Sequence, residues 1–237
     1  MKKIELLCYW GQRSATVGEF CSQSMDFFRW IGEYMNEVSC WRIANGKVEI
    51  DFVNDNTVAA LERWLKFMKR SLQIRDRIKD ANENTTIDVG FIQTSCPYSN
   101  PQLMVSLSMG RTSDIPNNII VSIPEEKASF DLVQGLLEEI INRFDPWWAC
   151  ATDSNVLSQL SKNSGYWFGW FSYFNQGISV RLPKIPADFE QKSLGTGTLI
   201  INTREVFDFQ NPEHIARAFR LRDLFSESGF DNAFFEV

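Results

Sequence analysis

Residues 130–153 have the sequence FDLVQGLLEEIINRFDPWWACATD, and residues 165–177 have the sequence GYWFGWFSYFNQG. Apolar residues recur in the first stretch at helical spacing, which predicts a helix with one buried face. The residues of that face are Phe130, Val133, Leu137, Ile140, Ile141 and Phe144. We expect the helix to end at Asp145-Pro146, because proline has no amide hydrogen and disfavours helical geometry in the residue before it. Residues 147–152 are then predicted to form a short strand.

The second stretch has apolar side chains at both odd and even positions from Tyr166 to Phe174. A strand with two apolar faces is covered on both sides, so we expect it to be a central strand of a sheet. Large aromatic side chains are more often packed in a core than exposed for binding. We therefore interpret the aromatic residues of this stretch as core residues.

The rest of the chain mixes predicted strands and helices without the strict strand-helix-strand order of a parallel sheet. The predicted strands cover residues 5–10, 40–44, 47–53, 87–93, 103–109, 118–123 and 198–203. The predicted helices cover residues 18–35 and 57–80, and a last one runs from Pro212 to Ser228. The predicted class is α+β, with a mostly antiparallel sheet and helices packed on it, in a single domain that covers residues 1–237.

Local sequence signals predict a hairpin, the start of the last helix and one loop. Asn45-Gly46 predicts a hairpin turn between two strands, because both residues tolerate positive φ. Asn211 can cap the last helix, with Pro212 at its first position. Residues 182–195 contain two prolines and have no periodicity, so we predict that they form the longest loop.

The composition is that of an ordinary soluble globular protein, with a net charge of -6 over 237 residues. This charge argues against a general nucleic-acid or membrane-surface binder and favours a basic partner. No stretch approaches the roughly 18 to 20 uninterrupted apolar residues of a membrane span. We expect a first strand and no signal peptide at the N-terminus, because Glu5 interrupts the short apolar run there.

The five cysteines are dispersed and contain no C-x-x-C pair. They are Cys8, Cys21, Cys40, Cys96 and Cys150. An odd, scattered set is typical of buried free thiols in a reducing compartment and favours neither disulfides nor a metal site. We therefore expect a cytoplasmic protein.

The single histidine, His214, restricts the catalytic chemistry that the chain could perform. Histidine-rich metal sites are excluded. A nucleophile activated by this histidine would rely on a base in the first turn of a helix, where the positive end of the helix dipole weakens it. We interpret His214 as structural and predict no catalytic, cofactor-binding or metal-binding residues.

One pattern supports an alternative, a metal-dependent nuclease. Asp114, Glu125 and Lys127 flank an apolar run and resemble the acid, strand and E-x-K arrangement of restriction-endonuclease-like enzymes. The two carboxylates would hold Mg²⁺, and the lysine would support the developing charge. Against this reading, Pro124 separates the strand from Glu125, so that the E-x-K sequence leaves the sheet.

Four segments resemble the immunity protein 52 family of bacterial polymorphic toxin systems. They are FDPWWACATD at 144–153, GYWFGWFSYF at 165–174, GTGTLIINT at 195–203 and FDFQNPEHIARAFRLRDLF at 207–225. Proteins similar to these are cytoplasmic antitoxins, often encoded beside type VI secretion effectors with a restriction-endonuclease-like nuclease domain. The resemblance implies a binding protein without catalytic residues, whose partner is a cognate secreted toxin of the nuclease class.

A nuclease presents a basic cleft, so an inhibitor gains association rate from acidic residues and affinity from aromatic anchors. Asp188, Phe189 and Glu190 in the predicted loop offer this combination. Our second choice is the acidic exit of the predicted hairpin, at Asp51 and Asp55. The alternative, that the loop is merely solvated, stays open.

The cysteine pattern gives a first prediction. Denatured protein should react with five equivalents of a thiol reagent, whether or not it was first reduced, because we expect all five cysteines to be free. A titration that finds three or one without reductant would show disulfides and contradict the cytoplasmic assignment.

Overall fold

The computed structural model describes residues 2–35, 41–43, 49–50, 84, 86–87, 90–95, 103–109, 117–153, 155–156, 168–179 and 182–229. In these residues the strands are β1 (Lys3–Trp10), β2 (Ala15–Thr16), β3 (Trp41–Ile43), β4 (Glu49–Ile50), β5 (Thr86–Ile87), β6 (Gly90–Ser95), β7 (Met104–Met109), β8 (Asn117–Pro124), β9 (Trp148–Asp153), β10 (Phe171–Asn175), β11 (Glu190–Leu194) and β12 (Gly197–Ile201). The helices are α1 (Val17–Met35), α2 (Phe130–Phe144), α3 (Gln176–Ser179) and α4 (Pro212–Glu227). The chain forms two compact units, Met1–Gly11 with Ile120–Val237, and Gln12–Ile119.

The first unit is built on a sheet whose described strands have the order β11-β12-β10-β9-β1-β8. Strand β9 pairs antiparallel with both β1 and β10, and β12 pairs antiparallel with both β10 and β11. The amide of Glu125 donates to the carbonyl of Lys2 at 3.2 Å, where the end of β8 meets the start of β1. The predicted α+β class with a mostly antiparallel sheet is confirmed. The prediction of a single domain over residues 1–237 stays a prediction.

Helix α2 covers one face of this sheet. The rings of Phe144 and Trp10 stack with centroids 5.6 Å apart, and those of Phe130 and Phe171 lie 5.2 Å apart. The hydroxyl of Ser129 caps the helix by accepting from the amide of Leu132 at 3.2 Å. The helix ends at Phe144, so the end predicted from proline is confirmed.

Helix α4 covers the opposite face. Phe225 of this helix lies 5.0 Å from Phe174 and 4.8 Å from Phe168, measured between ring centroids. The buried residues of this layer are Leu7, Trp148, Cys150, Phe168, Phe174, Ile185, Phe189, Ile200, Leu221 and Phe225. Strand β10 therefore lies in the middle of the sheet with both faces buried, as its sequence predicted. It begins at Phe171, so residues 168–170 of the predicted strand are not part of it.

The start of α4 also follows its sequence signal. The side chain of Asn211 accepts from the amide of Glu213 at 3.0 Å, and Pro212 occupies the first turn. At the other end, Gly229 has a φ of 72°, a conformation that glycine adopts without steric cost.

The predicted loop 182–195 is partly wrong, because Glu190–Leu194 forms strand β11. Both faces of this edge strand are exposed, so burial imposes no alternation of apolar and polar residues on its sequence. Gly195, with a φ of 53°, begins the tight turn from β11 into β12. Residues 182–189 remain outside regular strands and helices.

In the second unit, described strands have the order β7-β6-β3-β4, and β2 pairs separately with β5. The antiparallel pairing of β3 with β4 confirms the predicted hairpin, whereas β6 covers Gly90–Ser95 and not residues 87–93. Helix α1 begins with a capping box, in which Glu19 accepts from the amide of Thr16 at 2.7 Å. The predicted helix at 57–80 lies outside the described residues.

The buried aromatic layer gives a second prediction. Trp170 is completely buried, and its indole nitrogen donates to the carbonyl of Thr203 at 3.0 Å. We expect Trp170→Ala to reduce the free energy of unfolding by about 3–5 kcal/mol, because a large cavity is left in the core. Trp170→Phe should cost less, since it keeps most of the apolar volume. Denaturant unfolding measures both changes, and an unchanged midpoint for Trp170→Ala would contradict the core assignment.

Candidate functional site

A polar cleft lies where the end of β12, the start of β11 and the first turns of α4 meet, and we call it the β12–α4 cleft. Its volume is ≈ 310 Å³. The lining residues are Asp188, Glu190, Ile201, Asn202, Thr203, Arg204, Glu205, Asn211, Glu213, His214 and Arg217. All of them belong to the first unit.

Asn202, which follows β12, joins the elements that surround this cleft. Its backbone amide donates to the carbonyl of Trp170 at 2.9 Å. Its side-chain amide donates to the carbonyls of Gly169 at 3.0 Å and His214 at 3.3 Å. Asn202 is 3% exposed, so these bonds satisfy polar groups that water does not reach. They hold the start of α4 against the end of β12.

Arg217 extends this network from α4 to the segment before β11. Its Nε donates to the backbone oxygen of Asn202 at 2.9 Å and to the side-chain oxygen at 3.0 Å. Its two terminal nitrogens donate to the carbonyl of Asp188 at 2.8 Å and to the carboxylate of Asp188 at 3.2 Å. A single guanidinium therefore fixes both Asn202 and Asp188.

Asp188 is also bound by Arg220, and this hydrogen bond holds the pKa of the carboxyl below its ordinary value. The next residue, Phe189, is 3% exposed and belongs to the apolar layer under α4. The guanidinium carbons of Arg217 and Arg220 lie 4.7 and 4.8 Å from the centroid of its ring. Phe189 thus anchors its own segment to the core, and its ring is not exposed for a partner.

Glu190 forms a two-point ion pair with Arg204, with distances of 2.9 Å from Nε and 2.6 Å from a terminal nitrogen. This bond raises the pKa of the Arg204 guanidinium. The guanidinium carbon of Arg204 lies 5.2 Å from the ring centroid of Phe130 on α2. Of the four acidic residues predicted for partner binding, Asp188 and Glu190 therefore line the cleft, but arginines balance their charges.

His214 is 5% exposed and stacks on Phe207, with centroids 5.5 Å apart. Its Nδ1 accepts a hydrogen bond from the amide of Asp208 at 3.1 Å. In the neutral ring the proton is then on Nε2. That nitrogen lies 3.6 Å from a carboxylate oxygen of Glu205, across the cleft. The ring has a structural role through Nδ1 and keeps Nε2 facing the cleft.

Two carboxylates of the cleft, Glu205 and Glu213, were not singled out as site residues from the sequence. The side chain of Glu205 is 81% exposed, and Glu213 is exposed in the first turn of α4. Within the described residues, neither carboxylate has a lysine or arginine partner. No local sequence signal marks them, because the elements that bring them together meet only in the folded chain.

The other predicted site residues lie elsewhere. Asp51, Asp55 and Asp114 lie outside the described residues. Glu125 and Lys127 belong to a short 3-10 turn, where a carboxylate oxygen of Glu125 lies 3.6 Å from Nζ of Lys2. In the part of the chain that the structure describes, no group of histidine, cysteine and acidic residues could hold a metal ion, and no helix is long and apolar enough to cross a membrane.

Comparisons with known proteins give one family and a similar fold. The sequence profile of the family described as immunity protein 52 matches residues 6–233. No curated protein matches the chain. A solved structure of a T6SS protein from Pseudomonas aeruginosa is similar, with a TM-score of 0.55, and the match covers 94% of this chain and 73% of that one. The sequence identity is 11%, so this likeness concerns the fold.

The polar network gives a third prediction. We expect Arg217→Ala to lower the free energy of unfolding by about 2–3 kcal/mol, because the oxygens of buried Asn202 lose their donor and the ring of Phe189 loses a cation. Arg222 is a matched control, since its side chain is 24% exposed against 23% for Arg217, and in the described residues it contacts neighbouring groups on α4, Asp223 and Phe219. Arg222→Ala should cost at most about 1 kcal/mol. Urea unfolding measures both variants. Equal losses of unfolding free energy would contradict the central position of Arg217 in the network.

Proposed function

The chain belongs to the immunity protein 52 family, and on this premise we propose that it binds a cognate secreted toxin and so neutralises it. The observation that carries this proposal is the family match over residues 6–233, nearly the whole chain. We further propose that the toxin is a type VI secretion effector with a restriction-endonuclease-like nuclease domain. Binding then takes place in the cytoplasm, where such a toxin would meet nucleic acid.

Inhibition by binding requires a stable surface and no catalytic group. The polar surface around the β12–α4 cleft is held by bonds within the protein, from Arg217 to Asp188 and Asn202, and from Arg204 to Glu190. Side chains that are already fixed lose little conformational entropy when a partner binds. This supports the cleft as a contact surface.

The charge of the protein supports a basic partner. The net charge of -6 favours association with the positively charged substrate cleft of a nuclease. Asp188 and Glu190 are proposed contacts that offer fixed hydrogen-bond acceptors more than net charge, because each is paired with arginine. Asp51 and Asp55 are a second proposed contact, outside the described residues.

The fourth prediction tests this function with the product of the neighbouring effector gene. Cells that express this toxin should stop growing, and co-expression of the chain should restore growth. A catalytically inactive form of the toxin should bind the purified chain stoichiometrically in calorimetry, because the proposed inhibition is by occupancy. Absence of both protection and binding would contradict the proposal.

A control separates this function from the nuclease alternative. The purified chain alone, incubated with DNA or RNA and Mg²⁺, should leave the nucleic acid intact. Metal-dependent cleavage that Asp114→Ala abolishes would instead support an enzyme that uses Asp114, Glu125 and Lys127.

A further inference from the structure

The β12–α4 cleft contains three polar groups that other described residues do not fully bind. Asp188 and Glu190 are paired with arginines, and Asn202 is hydrogen-bonded on both sides. The carboxylates of Glu205 and Glu213 have no cationic lysine or arginine partner in the described residues. The third group is Nε2 of His214.

His214 lines the cleft, and its Nε2 has no protein hydrogen-bond partner among the described residues. Its side chain is 7% exposed, and its Nδ1 is already occupied by the amide of Asp208. In the described residues, a carboxylate oxygen of Glu205 lies 3.6 Å from Nε2, which is longer than a hydrogen bond. Nε2 therefore offers a donor to a group that enters the cleft. A small movement of Glu205 toward the ring would complete the bond and fix this carboxylate at the cleft.

The charge of the cleft indicates whether a bound group would be anionic or cationic. Four carboxylates and two guanidinium groups line it, which leaves a formal charge of -2 with His214 neutral. The positive end of the α4 dipole favours an anion, but the cap by Asn211 and the acidic Glu213 in the first turn oppose that effect. An anionic group would be repelled by the carboxylates of Glu205 and Glu213, which no lysine or arginine of the described residues pairs with. A cationic group would neutralise them.

We propose that the cleft receives an arginine side chain of the toxin, whose guanidinium bridges Glu205 and Glu213. This inference rests on the proposed function, because it assumes a protein partner with a basic surface. Arginine fits better than lysine, since its planar group has five donors and can bind two carboxylates at once. Val206, next to Glu205, is 40% exposed and offers apolar surface to the aliphatic part of the arginine.

The fifth prediction compares variants that differ by one charge. Glu205→Gln and Glu213→Gln should each weaken binding of the inactive toxin about tenfold, mainly through faster dissociation, because each removes a charged hydrogen-bond partner of the guanidinium. Glu227→Gln is the matched control, since it removes the same charge from the far end of α4, outside the cleft. It should bind as the wild type does. Surface plasmon resonance measures the three variants.

A second measurement needs no toxin. The chain has a single histidine, so its imidazole protons give one assignable set of NMR signals. N-acetyl-arginine amide should shift the His214 signals with saturation in the wild type and in Glu227→Gln, and not in the double variant Glu205→Gln/Glu213→Gln. N-acetyl-lysine amide should cause a smaller shift.

The outcomes distinguish this inference from the proposed function. If the wild type binds the toxin and the two cleft variants bind equally well, the cleft does not receive the arginine and the immunity function stands. If the wild type does not bind the toxin, the proposed function fails. In that case a saturable shift of the His214 NMR signals with N-acetyl-arginine amide still supports a guanidinium site. Absence of any such shift overturns the guanidinium site as well.

Discussion

Strand β10 is buried on both faces, and this constraint determines how the first unit is built. Phe171 and Tyr173 point to one side of the sheet, while Ser172 and Phe174 point to the other, and all four are buried. A sheet with two apolar faces needs a covering layer on each, which α2 and α4 supply. Because α4 must return across the sheet next to β12, its first turn comes to lie beside the end of that strand. The cleft is a consequence of this arrangement.

With α4 in this position, the buried polar groups near it need hydrogen-bond partners. Asn202 connects three segments of the chain through such bonds. It bonds to Gly169, just before β10, and to His214 and Arg217 on α4, so that its own segment and two distant ones are joined. Arg217 in turn binds Asp188, so the segment before β11 is tied to the helix. A connected network of buried hydrogen bonds of this kind favours one arrangement of its members over others. The result is a polar surface with a fixed shape above an aromatic core.

The acidic residues of this surface divide into two groups with different physical roles. Asp188 and Glu190 are held by arginines and contribute to the structure of the surface. Glu205 and Glu213 have no lysine or arginine partner in the described part of the chain. For the proposed binding function, these two carboxylates are therefore the more informative ones. Ion pairs already made within a protein add little further attraction to an approaching charge.

The sequence by itself determined the elements whose signals are local. Pro146 ended α2, Asn211 with Pro212 began α4, and the two apolar faces of residues 166–174 marked a central strand, of which 171–174 lie in β10. Strand β11 was missed because both of its faces are exposed, so that nothing in its sequence alternates. Only the tertiary structure decided which of residues 188–190 is buried and which are paired with arginines. It buried Phe189 and brought to this segment the arginines of β12's end and of α4. Contacts between residues this far apart in sequence depend on the packing of whole elements, which local residue patterns do not specify.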